Sequence, residues 1–271
     1  MKLDVRAYNR QAWDRQVASG NEWTRPVTPE VIARARAGDW SVVLTAVKPV
    51  PASWFPPLAG KDVLGLACGG GQQCPIFAAA GAHVTVLDNS PAQLGRDREV
   101  AEREGLAIRT VEGDMVDLSA FADRSFDLVF HPVSNVFSSA VRPMYREVSR
   151  VLRPGGILMS GFMNPDIYIF DRDAIDRRGI LRVKYPLPYS DAEHLPQVQL
   201  RAMMDAGWPL EHSHSLEDQI GGQCDAGLVI TALYEDRYAS DSGDVPSRYM
   251  PCFYATRAVK PYTAFHISSP E

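Results

Sequence analysis

The chain has 271 residues, 45% of them hydrophobic, a length that can bury a sizeable core as one elaborated domain or as a domain with a cap. Its formal net charge of -5 disfavours nucleic acid or an anionic membrane as the main partner, and no stretch approaches the roughly eighteen apolar residues of a membrane-spanning helix. Asp4, Arg6 and Arg10 stand where a secretory signal would be apolar, so we expect a soluble, cytoplasmic protein.

The first 57 residues are rich in large aromatic side chains. Residues 8–14 predict a short helix, and residues 29–37 predict a second helix capped by Thr28. The proline-rich stretch 49–57 is incompatible with a helix or a central strand and predicts a connector. The aromatic residues of this arm are Tyr8, Trp13, Trp23, Trp40 and Trp54.

A predicted apolar strand over residues 63–67 runs into three consecutive glycines, Gly69, Gly70 and Gly71. Glycine is needed where the backbone takes a positive φ or where a ligand approaches closely. A helix predicted over residues 76–80 follows, and its N-terminal amides would point into the same turn. The pattern therefore predicts an anion-binding turn.

The second predicted strand, residues 82–88, ends in Asp88. An acid about twenty residues after such glycines can accept both ribose hydroxyls of an adenosine-containing cofactor. A dinucleotide-binding fingerprint would place a further glycine at position 74, where this chain has Cys74. The pattern therefore favours an adenosine-containing cofactor other than a dinucleotide.

The cysteines and histidines predict neither a disulfide scaffold nor a metal site. No Cys-x-x-Cys pair occurs among Cys68, Cys74, Cys224 and Cys252. A small side chain that fits the glycine turn is the simpler explanation of Cys68, and a reactive thiol is the alternative. His212 and His214 have no evident third ligand.

Strands and helices alternate over the next part of the chain. Ser90 is predicted to cap a helix with Pro91 in its first turn, and Gly105 to close it. Strands are predicted over residues 108–112 and 126–130, and a helix ending before Pro154 leads into the fifth strand. Helices of this length between strands imply a parallel sheet with right-handed crossovers.

Residues 164–214 interrupt the alternation. An insertion after the fifth strand lies over the carboxyl ends of the sheet, where ligands bind in such folds, so we expect a substrate cap. A helix over 216–226 then precedes strands over 228–234 and 252–259, which are placed to pair antiparallel at one edge of the sheet. A loose tail is expected from residue 262.

The segment Arg150-Val-Leu-Arg-Pro-Gly-Gly156, taken with the glycine turn, resembles the Rossmann-like S-adenosylmethionine-dependent methyltransferases of small molecules, of the methyltransferase type 11 kind. The resemblance is close over residues 60–162. It implies an α/β fold with a doubly wound, seven-stranded, mostly parallel sheet, an N-terminal helical lid and a cap insertion after the fifth strand. The implied domains are an arm at 1–57, a cofactor-binding core at 58–163 and 215–261, a cap at 164–214 and a tail at 262–271.

The resemblance also implies S-adenosyl-L-methionine as the cofactor and assigns it contacts. The glycine turn would cradle the methionine portion, while Asp88 would accept the ribose hydroxyls. Asp114 would accept from the adenine amino group, with Met115 beside the ring. The full expected set is Tyr8, Ala67, Gly69, Gly71, Gln72, Asp88, Asn89, Asp114, Met115 and His131.

Two positions depart from the family pattern. Many of these enzymes have an acid at the position of Gly65 and a glycine at that of Ala67. The missing acid would leave the cofactor ammonium without its usual nearby partner. Gln72 or Tyr8 is the candidate replacement.

His131, directly after the fourth strand, is the candidate general base, and Asn135 is the candidate to orient the substrate. The alternative is that His131 is a structural hydrogen-bonding residue at a strand end. Aromatic residues of the arm and cap either contact the acceptor or only pack these segments onto the core. The candidate substrate contacts are Trp13, Trp23, Tyr168, Tyr185 and His194.

These patterns predict methyl transfer from S-adenosylmethionine to an oxygen or nitrogen of a small-molecule acceptor. One alternative is a protein that binds the cofactor without transferring its methyl group. Another is an NAD-dependent oxidoreductase, because Asp88 would serve NAD equally well. Cys74 and the Arg-Pro-Gly-Gly turn favour the methyltransferase. The sequence predicts neither the identity of the acceptor nor the oligomeric state.

Overall fold

A mixed sheet of seven strands forms the centre of the protein. The structure is a computed structural model and describes residues 3–262. The strands are β1 (Asp62–Leu66), β2 (His83–Asp88), β3 (Ile108–Glu112), β4 (Phe126–His131), β5 (Leu152–Met163), β6 (Val229–Asp236) and β7 (Phe253–Val259). Their order is β3-β2-β1-β4-β5-β7-β6. The first five are parallel, and β7 lies antiparallel between β5 and β6. The predicted doubly wound sheet and its antiparallel edge are confirmed.

Nine α-helices accompany the sheet within residues 3–262. They are α1 (Val5–Ala18), α2 (Pro29–Arg36), α3 (Gln73–Ala79), α4 (Pro91–Glu104), α5 (Arg142–Val151), α6 (Arg172–Arg178), α7 (Asp191–His194), α8 (Gln197–Asp205) and α9 (Gly222–Asp225). A π-helical turn, Glu217–Gly221, directly precedes α9. Of the predicted tail, residues 263–271 lie outside the described part of the chain.

The caps predicted for α4 are confirmed. The Ser90 side chain accepts the backbone N–H of Gln93, and Gly105 ends the helix at a φ of +63°. The first helix is longer than predicted, because Asp4 caps it by accepting the N–H of Ala7 at 3.0 Å. Thr28 precedes α2 as predicted but forms no capping hydrogen bond through its side chain.

Two apolar layers cover the faces of the sheet. One packs Phe77 of α3 and Leu94 of α4 against strand residues such as Val63. The other packs Val148 of α5 against residues of the opposite face such as Leu64. Consecutive residues of β1 thus enter different layers, because side chains alternate along a strand. Both faces of the parallel strands are buried, which leaves their carboxyl ends as the open edge.

No helix within residues 3–262 combines the length and the apolar composition needed to cross a membrane.

Candidate active site

A cavity of about 1110 Å³ lies at the carboxyl ends of the parallel strands. Its floor includes Cys68 after β1, Asp88 at the end of β2, Asp114 after β3 and Ser134 after β4. The N-terminal arm and residues 164–214 provide the remaining walls. Typical single-ligand pockets span about 300–1,000 Å³, so this cavity has room for more than one small ligand.

The backbone amides of the glycine turn bind carboxylates of the protein itself. The N–H of Gly69 donates to Asp88 Oδ2 at 2.9 Å. The N–H groups of Gly70 and Gly71 donate to Asp97 Oδ2 at 3.1 and 3.2 Å. The turn was predicted to bind an anion, but its amides are already bonded within the protein, to Asp88 of β2 and to Asp97 of α4. Gly71, an expected cofactor contact, does not line the cavity.

Asp97 is fully buried, and the sequence analysis did not single it out. Its Oδ1 atom has no hydrogen-bond partner within the described part of the chain. Burial, opposed by the Gly71 amide and reinforced by the nearby Asp88 charge, raises the pKa of Asp97 to about 8. The carboxyl is therefore mainly protonated at neutral pH. The sequence does contain a signal for the burial of Asp97, because Leu94, Asp97 and Val100 recur at helical spacing on the buried face of α4.

Asp88 is the acid that faces the cavity, and it is partly exposed there. Its Oδ2 accepts the N–H of Gly69, and its Oδ1 accepts the N–H of Ser90 at 2.9 Å. Burial raises the pKa of Asp88 to about 6, against the lowering effect of these backbone N–H groups. Each oxygen keeps a lone pair, so the carboxylate can accept two further hydrogen bonds.

Helix α1 closes over the ends of β2 and β3. The Arg6 side chain forms an ion pair with Asp114 at 3.1 Å, and Arg10 forms one with Glu112 at 2.7 Å. The Asn89 side chain donates to the carbonyl of Arg6 at 3.2 Å. Asn89, Asp114 and Met115 line the cavity beneath this contact, as do Ala67 and Gln72.

The two residues expected to replace the family acid bind other partners. The Tyr8 hydroxyl donates to the carbonyl of Trp208 at 2.7 Å, and Tyr8 does not line the cavity. The Gln72 amide donates to the carbonyls of Glu22 at 3.0 Å and Arg25 at 3.3 Å. Both side chains thus attach the N-terminal arm to the rest of the protein. A cofactor ammonium needs an acceptor, and the Gln72 side-chain oxygen is not used in these bonds, so Gln72 at the cavity remains the candidate replacement and Tyr8 does not.

The space expected to hold the family acid is filled by a thiol. A Cβ atom built on Gly65 would lie 2.2 Å from Cys74 Sγ. The Cys74 and Cys68 sulfurs are 3.7 Å apart, and both cysteines are free and buried. A side chain at position 65 is therefore excluded by packing. Of the two thiols, Cys68 lines the cavity.

His131 lies behind the cavity wall, although the sequence predicted it beside the reacting methyl group. The residue is completely buried, its Nδ1 is 2.9 Å from the carbonyl oxygen of Leu66, and it does not line the cavity. The Nδ1 atom must donate in this contact, because a carbonyl oxygen only accepts. Burial lowers the pKa of His131 to about 4. These features match the structural alternative, because the imidazole does not reach the cavity, and its Nε2 has no hydrogen-bond partner within residues 3–262.

Asn135 also lies outside the cavity lining, contrary to its predicted catalytic position. It is completely buried and exchanges two hydrogen bonds with Gln219, at 3.0 and 3.2 Å. The Tyr145 hydroxyl donates to the same Gln219 oxygen at 2.7 Å. This amide pair ties the segment after β4 to the π-helical turn before α9, so both amide groups of the pair are committed to structure.

Most of the predicted aromatic contacts reach the cavity. Trp13, Trp23, Tyr168 and Tyr185 line it, and Trp13 packs edge-on against Phe137 with 5.1 Å between ring centroids. His194 does not line the cavity. It stacks on Tyr189 at 5.2 Å, and its Nδ1 lies 3.1 Å from the backbone of Ser190.

Nine polar residues of the 164–214 segment line the cavity without having been predicted as site residues. They are Asp171, Arg172, Asp173, Asp176, Arg177, Tyr189, Asp191, Gln199 and Glu211. Glu211 Oε2 accepts from the Tyr168 hydroxyl at 2.8 Å and from the Arg172 guanidinium at 2.7 Å. The segment that closes the cavity therefore carries a connected set of charged groups.

A model of the methyltransferase domain family matches residues 64–160. The uncharacterized methyltransferase YbaJ of Bacillus subtilis is 50% identical over 254 residues, covering 94% of this chain and 98% of that protein. A sterol 24-C-methyltransferase of Gibberella zeae is 34% identical over 164 residues, covering 58% of this chain and 42% of that enzyme.

Solved structures with a similar fold include two S-adenosylmethionine-dependent methyltransferases. The one from Mesorhizobium loti has a TM-score of 0.59 at 19% identity, covering 76% of this chain and 94% of that chain. The one from Methanosarcina mazei has a TM-score of 0.54 at 17% identity, covering 80% and 99%. At these identities the likeness concerns the fold, and it agrees with the strand order given above.

Proposed function

We infer that this chain, which belongs to the S-adenosylmethionine-dependent methyltransferases, transfers the methyl group to an oxygen or nitrogen of a small molecule held beside the cofactor. The observation that carries the proposal is the partly exposed Asp88 carboxylate in a cavity of about 1110 Å³. That volume exceeds the roughly 300–1,000 Å³ typical for one ligand. A cofactor and a compact acceptor would both fit.

The residues at the strand ends suit the cofactor. Asp88 retains lone pairs for two ribose hydroxyls, as argued above. Asp114 Oδ1 accepts the N–H of Val116 at 3.2 Å and its Oδ2 faces Arg6, so the carboxylate is fixed beside Met115 and keeps acceptor capacity for an adenine amino group. Met115 would contact the ring through its polarizable sulfur.

When bound, S-adenosylmethionine supplies a methyl group on a positively charged sulfur. The protein's task is to hold the nucleophile in line with that methyl carbon and to keep water out. Helix α1 and residues 164–214 surround the cavity on the side away from the sheet, and their aromatic rings, Trp13 and Tyr168 among them, provide apolar walls. Asp88 and Asp114 would orient the cofactor on the opposite side.

The hydrogen bonds that the N–H groups of the glycine turn already make favour this function over binding of a nicotinamide dinucleotide. A dinucleotide pyrophosphate binds to free backbone N–H groups at the start of a helix. Here the amides of Gly69, Gly70 and Gly71 already donate to Asp88 and Asp97. A pyrophosphate at this turn would also face two acidic side chains.

Calorimetric titration tests the cofactor site. We expect S-adenosylmethionine and its product S-adenosylhomocysteine to bind the purified protein, and NAD not to bind. Asp88→Asn should weaken both by about 10- to 100-fold, because hydrogen bonds to a charged acceptor contribute about 1.5–3 kcal/mol. The control Asp39→Asn alters an exposed acid paired with Arg34 on the surface and should bind as the wild type does.

Binding of NAD alone, or equal affinity in Asp88→Asn and wild type, would contradict the assignment of the cavity. Transfer of an isotope-labelled methyl group to acceptors then separates the enzyme from a protein that binds the cofactor without using it. Cofactor binding with no transfer to any acceptor would favour that second function.

A further inference from the structure

The cap end of the cavity presents a carboxylate oxygen that the described protein leaves available. Both bonds to Glu211, from Tyr168 and Arg172, go to Oε2. Among residues 3–262 no donor bonds to Oε1, and the side chain is 18% exposed at the cavity. Two donors on one oxygen fix the plane of the carboxylate, so Oε1 is held in a defined direction for a ligand.

Asp191 holds the backbone of Glu211 in place. Its Oδ2 accepts the N–H of Glu211 at 2.8 Å, and its Oδ1 accepts from the Tyr189 hydroxyl at 2.8 Å. Asp191 is almost completely buried, and burial with the Glu211 charge raises its pKa. Within residues 3–262, Arg172 is the one guanidinium bonded to Glu211 or Asp191, so two carboxyl groups share one positive charge.

The surrounding lining carries more acids than bases, although one of the acids, Asp171, is already paired with Arg182 and Lys184. Residues 164–214 contribute five carboxylates and two guanidinium groups to the cavity lining. Arg172 is committed to Glu211 and lies over the Tyr168 ring, 5.8 Å from its centroid, so it offers little to a ligand anion. The five acids are Asp171, Asp173, Asp176, Asp191 and Glu211, and the second cation is Arg177.

Aromatic rings flank the carboxylates. Tyr168 and Tyr189 stack with centroids 5.5 Å apart, Tyr185 lies 5.0 Å from Tyr189, and Tyr238 packs edge-on against Phe253 at 4.8 Å. All five rings line the cavity. Aromatic faces attract cations, and a nearby carboxylate adds direct charge pairing. Lys184 already lies over the Tyr185 ring at 4.9 Å and Arg172 over the Tyr168 ring, so the rings left for a ligand cation are Tyr189, Tyr238 and Phe253. A carboxylate beside these rings favours a positively charged group over a negative one.

We propose that the methyl acceptor is an amine, bound as its ammonium ion to Glu211 Oε1 between these rings. This rests on the proposed function and specifies its substrate class. The ammonium gives a proton to the Glu211 carboxylate and becomes a neutral amine. The nitrogen lone pair then forms a bond to the methyl carbon as the carbon–sulfur bond breaks and its electron pair stays on sulfur. The product is a methylammonium ion, and Glu211 releases its proton to water.

The test uses three probes that share one ring: 2-phenylethylamine, 2-phenylethanol and phenylacetate. Each is titrated against the protein, with and without S-adenosylhomocysteine, and offered as acceptor with isotope-labelled S-adenosylmethionine. We expect the amine to bind most tightly and to be the methylated probe. Glu211→Gln should weaken amine binding by about 10- to 100-fold and leave binding of the alcohol and the cofactor unchanged.

Glu193→Gln is the matched control, because Glu193 belongs to the same segment and is exposed without lining the cavity. It should behave as the wild type with all probes. The proposal is overturned if the protein prefers the alcohol or the carboxylate, or if it binds none of the probes. It is also overturned if Glu211→Gln binds the amine as tightly as the wild type does. Amine binding is also measured without cofactor. A protein that binds the amine but not S-adenosylhomocysteine would contradict the proposed cofactor site and not the amine site.

Discussion

Replacing Asp97 by alanine should loosen the glycine turn, whereas replacement by asparagine should not. Asp97 Oδ2 accepts the N–H groups of Gly70 and Gly71, and the residue is completely buried. The N–H of Gly70 also donates to the carbonyl of Gln93 at 3.1 Å, so alanine leaves the N–H of Gly71 without its acceptor. Leaving a buried donor unsatisfied costs about 1–3 kcal/mol, and the alanine variant should lose about that much unfolding free energy. This is a large share of the roughly 5–15 kcal/mol that stabilises a typical domain.

Asparagine keeps an acceptor oxygen for both amides and carries no charge. Because burial raises the pKa of Asp97 to about 8, the wild-type side chain is itself mainly neutral at pH 7, and asparagine reproduces that state. At about pH 4 and below, where the unfolded chain also holds the proton, Asp97→Asn should lie within about 1 kcal/mol of wild type. At pH 7 Asp97→Asn should be the more stable of the two, because only the wild-type protein must take up a proton to fold. The affinity of Asp97→Asn for S-adenosylmethionine should equal that of wild type, while Asp97→Ala binds the cofactor more weakly.

The pH dependence provides an independent check. The folded pKa of Asp97, about 8, lies above that of an unfolded aspartate, so between about pH 4 and pH 8 the native protein holds a proton that the unfolded chain has released. The unfolding free energy of wild type should fall over this range relative to Asp97→Asn. Urea unfolding of the three proteins at several pH values measures both effects. Equal destabilisation by asparagine and alanine, or a constant wild-type-to-asparagine difference, would refute the reasoning.

Two further variants test the packing around the cavity. Gly65→Ala places a Cβ 2.2 Å from Cys74 Sγ and should cost about 1–3 kcal/mol through overpacking. The double variant Gly65→Ala/Cys74→Gly should recover much of the loss in thermal unfolding, and a double variant no more stable than Gly65→Ala alone would contradict this. His131→Asn should change kcat by less than about threefold once an acceptor is identified, because the imidazole does not reach the cavity. A loss of about a hundredfold or more, as expected for a general base, would return His131 to the reaction.

Local patterns were sufficient for much of the fold. Ser90 and Gly105 each act within one helical turn, so the bounds of α4 followed from its caps. Asp88 ends a strand whose carboxyl end must lie at the open edge of a parallel sheet, so its place at the cavity followed from topology. The antiparallel strands at the edge followed from a polar connection between two apolar runs.

The errors concern the direction in which a side chain points. His131 is the last residue of β4, one position beyond the predicted strand end, and Asn135 follows the strand as predicted. The face toward which each side chain turns depends on Leu66 and Gln219, which are distant in sequence. The Asp97 contact depends on the rotation of α4 about its axis. The Glu211 group joins residues 39 to 43 positions apart within a segment without periodicity, so no local signal marked it.

The position of β7 in the sheet makes the pairing of β5 with β7 a late step in folding. Among residues 3–262, β7 is the last strand in sequence, yet it lies between β5 and β6, and β6 pairs there with β7 alone. Until residues 253–259 leave the ribosome, β5 therefore presents a bare backbone edge next to buried residues such as Leu158 and Phe162. An unpaired apolar edge is a template for intermolecular pairing. We expect a chain that ends before residue 253 to accumulate as aggregate.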